Sequence, residues 1–178
     1  MSRRIPTVLL IGLRGSGKTT LGAQLAKKLH RPFVDLDDVT REMLGCKTIA
    51  EAWDKGGESL FRMTETRALR KVLTRVGQVV ALGGGTPTAP GAKDLIRRAQ
   101  RSKDAYVIYL RASPHTLRER LSRLELADRP SLTGTDTITE IDLIHARRDA
   151  TYRNLADEVI DVDGIDERTA LRELYSLF

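Results

Sequence analysis

Eight consecutive residues, Gly12-Leu13-Arg14-Gly15-Ser16-Gly17-Lys18-Thr19, match the pattern G-x-x-x-x-G-K-[ST] at every required position. The chemistry this spacing serves is the holding of phosphate. Gly12, Gly15 and Gly17 let the backbone curl, so that successive N–H groups around Ser16 and Thr20 point inward at anionic oxygens. Lys18 is placed to reach the β- and γ-phosphates of a nucleoside triphosphate, and the Thr19 hydroxyl to ligate Mg²⁺. A helix starting at this point adds its N-terminal dipole and unpaired N–H donors. The motif defines a phosphate-holding class and not a substrate, because kinases, ATPases, GTPases and switches share it.

A second set of residues bears on what receives the phosphate. Phe33-Val34-Asp35-Leu36-Asp37-Asp38 puts Asp35 and Asp37 two residues apart at a strand end. Phe61-Arg62 is followed by Glu65, then come Leu82-Gly83-Gly84-Gly85-Thr86 and Asp128-Arg129-Pro130, and last Arg148 ahead of Tyr152-Arg153. Taken as residues alone, each has a structural alternative. Asp35 and Asp37 can be a strand-end turn with Asp38 as the helix cap. The glycine triplet can be a tight turn, Arg62 a solvated partner of Glu58 or Glu65, and Trp53 and Phe61 core side chains. Arg120 and Arg129 sit in an arginine-rich stretch that can be a solvated face. Arg147 beside Arg148 leaves the register of that clamp open.

In this order and at these separations the set resembles the shikimate kinase family, and the resemblance covers nearly the whole chain. It implies a three-layer α/β/α fold of the P-loop kinase type, with a five-stranded parallel sheet in the order 2-3-1-4-5. A single kinase domain over 1–178 is expected, with an acceptor-binding region near 35–65 and a mobile lid near 124–137. The implied reaction moves the γ-phosphoryl of ATP to the 3-hydroxyl of shikimate, on the route to chorismate and the aromatic amino acids. By resemblance, Asp35 holds Mg²⁺ through its water shell beside Thr19, and Asp37 grips the shikimate hydroxyls near the one that attacks. Arg62 and Arg148 match the clamp on the carboxylate, and Gly83, Gly84 and Gly85 the backbone that approaches the ring. Trp53 and Phe61 match the aromatic walls. Arg120 matches the residue near adenine, and Arg129 the lid arginine that acts with Lys18 and Asp37 in catalysis.

These residue types suit that work on physical grounds. Phosphoryl transfer is chiefly positioning and charge neutralisation. A carboxylate is best held by the planar fork of guanidinium, and a polyol by a carboxylate that accepts from its O–H groups. Asp37 with Arg62 and Arg148 therefore suits a small acid bearing hydroxyls. Rival readings are a kinase for another polyol acid such as gluconate, a nucleotide kinase, and a non-catalytic nucleotide-binding module. The chain departs from the pattern at Ala150, where many family members have proline. No Walker-B Asp precedes the glycine triplet, so the metal role rests on Thr19 and Asp35. Arg14 adds a cation at the rim of the loop.

The elements that must carry these residues alternate from end to end. Thr7–Ile11 reads as a strand buried on both faces. A helix with Leu21, Leu25, Ala26 and Leu29 on one face follows, then a short strand from Phe33. Helices are predicted near 39–45 and 48–75, the second interrupted at Gly56-Gly57. Strands at 79–82, 106–110 and 159–162 are separated by helices near 91–100, 114–124 and 137–154, and a C-terminal helix closes the chain.

The 178 residues are 40% hydrophobic and 30% charged, as expected of one globular domain. A net charge of +6 fits a site for several phosphates, and the absence of a long Lys/Arg block argues against nucleic acid. Cys46 is the only cysteine, which excludes an intramolecular disulfide and suits a reducing cytoplasm. The basic Met1–Arg4 segment leads into too short an apolar run for a signal peptide. No stretch approaches the roughly 20 apolar residues of a membrane span. His30, His115 and His145 lie scattered and read as structural. The expected partners are ATP and shikimate, acting on a monomer.

Overall fold

The computed structural model describes residues 5–123 and 140–178. The lid expected near 124–137, with Arg129, lies outside the described residues. Strand β1 (Thr7–Ile11) is buried at all five positions. It pairs in parallel with β3 (Val79–Ala81), setting Leu9 opposite Val80, and with β4 (Ala105–Arg111), setting Leu9 opposite Val107. Outer strands β2 (Phe33–Asp35) and β5 (Glu158–Asp161) complete an all-parallel sheet in the order β2-β3-β1-β4-β5. This is the predicted topology. A central strand buried on both faces requires helices on both, which gives three layers and explains the unbroken apolar run.

Helix α1 (Lys18–Leu29) follows β1 and packs beside α7 (Glu167–Tyr175). The other helical group comprises α3 (Ile49–Val72), α4 (Ala92–Arg101), α5 (Pro114–Arg123) and α6 (Ile141–Leu155). One core cluster runs from Val8 through Ile108 to Leu174, all three fully buried. Among the described residues, no helix is long and apolar enough to cross a membrane.

Two local details differ from or sharpen the predicted elements. Helix α2 (Leu36–Leu44) starts earlier than expected, because Asp35 and not Asp38 is the cap. Asp35 is extended, and its Oδ1 accepts from the Asp37 N–H at 3.0 Å, satisfying a first-turn donor. Asp38 instead pairs with Arg41 one turn on. Helix α3 is capped by Thr48, which accepts from the Glu51 N–H at 3.1 Å. It kinks at Gly57 (φ 69°, ψ 179°), where the sequence predicted an interruption. The kink separates the turn bearing Trp53 from the turns bearing Phe61, Arg62 and Glu65.

Candidate active site

The glycine loop spans the gap between the end of β1 and the start of α1. Gly12 has φ 151°, and a Cβ there would lie 2.6 Å from the Leu110 carbonyl oxygen, so a side chain is sterically excluded. Lys18 is buried and its ammonium donates to the carbonyls of Gly12 (2.8 Å) and Leu13 (2.9 Å). Its charge is thereby held inside the loop that phosphates would enter. The Ser16 hydroxyl is buried with no hydrogen-bond partner among the described residues, which is costly unless a ligand supplies one. Thr19 Oγ1 donates to Asp35 Oδ2 at 2.8 Å. Asp35 thus joins the loop to the end of β2 while capping α2. Burial raises its pKa above the ordinary carboxylate value, and a bound cation would reverse that tendency.

A cleft beside this loop collects the donor-side residues: Gly15, Gly17, Lys18, Thr19, Thr20 and Asp35. Arg120 joins them from α5, its guanidinium donating to the carbonyls of Gly15 (3.4 Å) and Val162 (3.0 Å). It is therefore a bridge across one end of the cleft and not a solvated charge.

A second cleft opens on the other side of Asp37. Arg62, Arg148, Gly84, Gly85, Trp53 and Phe61, all assigned to the acceptor by the resemblance, line this one cleft. The Trp53 and Phe61 rings meet with centroids 6.2 Å apart, and the Trp53 indole N–H is buried without a partner among the described residues. Leu117, Leu121, Ile141 and Ile144 form an apolar wall between α5 and α6.

Arg62 does pair with Glu65 (2.7 Å) and Glu58 (3.3 Å), yet its side chain is only 13% exposed, so it is not a solvated surface charge. Burial lowers the Arg62 pKa, but the two carboxylates outweigh burial and the net direction is upward. Glu65 is buried at 1% and also accepts from Thr86 Oγ1 at 2.8 Å. Burial pushes the Glu65 pKa up, opposed by Arg62 and Thr86 and reinforced by Asp37. The triplet is glycine because side chains converge on it. A Cβ on Gly85 would fall 2.2 Å from Arg62 Nη1, and one on Gly83 would fall 2.6 Å from Asp37 Oδ1 and 2.7 Å from Glu65 Oε1.

The register of α6 settles which arginine faces the pocket. Arg148 donates to the Gly84 carbonyl at 3.0 Å, while Arg147 is exposed. The helix runs unbroken through Ala150, so the missing proline leaves its course intact. Asp149 helps set that register, accepting from Tyr109 on β4 (2.9 Å) and from Arg153 (2.7 Å). Tyr109 in turn stacks edge-on against Tyr152 with centroids 5.3 Å apart.

Two residues of this site escaped sequence reasoning. Tyr152 is fully buried and its hydroxyl donates to the same Gly84 carbonyl that Arg148 holds. Glu65 orients Arg62 from one helical turn away. Helical spacing (Arg62 to Glu65, Arg148 to Tyr152) was the available signal, but the Gly84 carbonyl as common target is visible only in three dimensions.

Burial pushes the Tyr152 hydroxyl up to about 12, above the ~10 of a free phenol. The unfolded chain therefore loses this proton first. The stabilising contribution is complete below pH ~10 and is lost as pH rises through the folded-state value. Tyr152→Phe should make the fall in thermal unfolding midpoint between about pH 10 and 12 shallower, although Tyr109, also raised by burial, retains part of it. With one Gly84 donor gone, KM for the acceptor should rise about threefold to tenfold, the worth of one neutral hydrogen bond.

A P-loop at the end of a central parallel strand, facing a separate pocket lined with arginines and a carboxylate, defines a P-loop small-molecule kinase. The sequence profile of the shikimate kinase family matches residues 14–177. This chain belongs to the shikimate kinase family, the ATP-dependent phosphotransferases that the motifs resemble. It is 39% identical to the shikimate kinase of Stenotrophomonas maltophilia over 158 residues, covering 89% of this chain and 83% of that one. Shikimate kinase 2 of Enterobacter sp. is 38% identical over 172 residues, 93% and 95% of the two chains. Among solved structures, the shikimate kinase of Acinetobacter baumannii in complex with shikimate superposes with TM-score 0.85 at 28% identity, over 97% and 92% of the chains.

Proposed function

We propose that this chain moves the γ-phosphoryl of ATP to the 3-hydroxyl of shikimate across the boundary between the two clefts. The observation that carries the reading is Asp37, which lines both clefts while Lys18 lines only one and Arg62 and Arg148 only the other. In this assignment the loop from Gly12 to Thr20 cradles the phosphates, with Ser16 gaining the partner it lacks, and Arg120 closes the adenine end. Arg62 and Arg148 hold the shikimate carboxylate as charge-assisted forks. Asp37 accepts from the attacking hydroxyl, and Gly83 to Gly85 admit the ring against bare backbone. Trp53 and Phe61 cover its apolar face and exclude water, a competing acceptor. Arg129, outside the described residues, is assigned the lid role by family pattern.

Mg²⁺ fits the residues present. Thr19 Oγ1 and Asp35 Oδ2 offer two hard oxygen donors 2.8 Å apart, and no group of three acidic, His or Cys side chains competes for a metal among the described residues. Mg²⁺ typically takes one or two protein oxygens and completes its shell with waters and substrate phosphates. When bound it supplies neutralising charge to the β- and γ-phosphates. Asp35→Asn should raise the Mg²⁺ concentration for half-maximal rate about tenfold or more, as loss of outer-shell metal partners does. An unchanged Mg²⁺ dependence would remove Asp35 from this role.

The same reading takes 1–178 as one kinase domain acting as a cytoplasmic monomer without nucleic-acid or membrane partners. The continuous core cluster among the described residues supports one domain, and the lack of a long Lys/Arg block in the sequence argues against nucleic acid. The test of substrate is ADP release with ATP and Mg²⁺, comparing shikimate, gluconate and nucleoside monophosphates. Shikimate alone should stimulate release. A preference for gluconate or a nucleotide would overturn the acceptor assignment.

A further inference from the structure

Arg14 has no role in the phosphate-loop pattern, whose second variable position is open to any residue. Its place in the structure is specific. Among the described residues, only Arg14, Asp37 and Gly84 line both clefts. Asp37 is an anion and Gly84 is neutral, which leaves Arg14 as the one cation shared by the two. Among the described residues, Lys18 and Arg120 line only the donor cleft, and Arg62 and Arg148 only the acceptor cleft. The Arg14 main chain also packs on the triplet, its nitrogen 3.2 Å from where a Gly84 Cβ would stand. That contact ties the phosphate loop to the floor of the acceptor cleft.

We propose that Arg14 is a catalytic residue that grips the phosphoryl group as it crosses between the clefts and stays on it in the phosphorylated product. In the step, the bond from the γ-phosphorus to the β–γ bridging oxygen breaks and its electron pair remains on ADP. A bond forms from phosphorus to the acceptor hydroxyl oxygen, and the hydroxyl proton passes to the Asp37 carboxylate. Charge on the transferring group is spread over three equatorial oxygens that leave the reach of the donor loop as the new bond forms. A guanidinium at the boundary can follow them, and its planar fork matches a phosphate monoester better than an ammonium does. The inference rests on the assignment of donor and acceptor clefts above, and it adds a binding element for the product phosphate.

The experiment compares wild type, Arg14→Gln and Arg14→Lys in steady-state kinetics and in direct titration with ADP, shikimate and shikimate 3-phosphate. Arg14→Gln should lower kcat by about 10²-fold, the effect of removing one transition-state donor, with KM for ATP and for shikimate each within about threefold. Affinity for shikimate 3-phosphate should fall at least about tenfold while affinity for shikimate holds, and Arg14→Lys should recover part of both losses. An unchanged product affinity would overturn the proposal. So would a matching loss of ADP affinity, which would make Arg14 a shaper of the loop. The underlying reading fails separately, by absence of shikimate-dependent ADP release from wild type.

Discussion

Asp37→Asn is expected to reduce turnover by about a thousandfold or more while leaving ATP affinity within about threefold, the scale of losing a positioned proton acceptor. The substitution keeps the shape of the side chain and removes its charge. Asp37 is buried and lies where both clefts meet, with its Oδ1 converging with Glu65 Oε1 on Gly83. An amide in that position presents a donor to a hydroxyl that needs an acceptor. The donor cleft holds phosphates through main-chain N–H groups and Lys18, whose ammonium is anchored on the Gly12 and Leu13 carbonyls, so nucleotide binding should be largely spared. Steady-state rates together with nucleotide displacement check the prediction. A variant that keeps more than about a tenth of wild-type turnover would show that Asp37 does not engage the reacting hydroxyl.

Arg62→Gln should damage acceptor binding and stability together, because the guanidinium serves both. A shikimate KM raised by about 10²-fold corresponds to loss of a bidentate charge-assisted contact. Glu65, left buried without its cation, should destabilise the fold by about 3–5 kcal/mol at neutral pH. The two effects separate in a double variant. Arg62→Gln with Glu65→Gln removes the stranded charge, so the thermal midpoint should recover while shikimate KM does not. Recovery of both would mean that Arg62 acts only as a structural partner of Glu65. Arg62→Lys should fall between, since it keeps charge without the planar fork.

Contiguous features were the most legible in the sequence. The glycine loop, the Asp35–Asp37 pair and the triplet each act through a few neighbouring residues, and the structure puts all three at the carboxyl ends of β1, β2 and β3. The sheet order followed from the resemblance, and the buried strands from unbroken apolar runs such as Thr7–Ile11. What the sequence left open depends on packing. Choosing Arg148 over Arg147 requires the register of α6, which Asp149, Tyr109 and Tyr152 set by contacts to β4 and to the triplet. The start of α2 moved because Asp35 satisfies the Asp37 N–H, a preference of the strand-end backbone that residue types alone do not rank. Glu65 looked like a surface partner of Arg62 until its burial against Thr86 and Gly83 made it part of the pocket floor.

Trp53 is the only tryptophan in the chain and stands in the wall of the acceptor cleft against Phe61. Its fluorescence therefore reports directly on whether the acceptor occupies the cleft assigned to it. Titration of nucleotide-free protein with shikimate should change the emission saturably, and Arg62→Gln should shift the midpoint to about 10²-fold higher concentration, in step with its KM. A wild-type enzyme that releases ADP in response to shikimate, yet whose tryptophan signal ignores it, would contradict the two-cleft account.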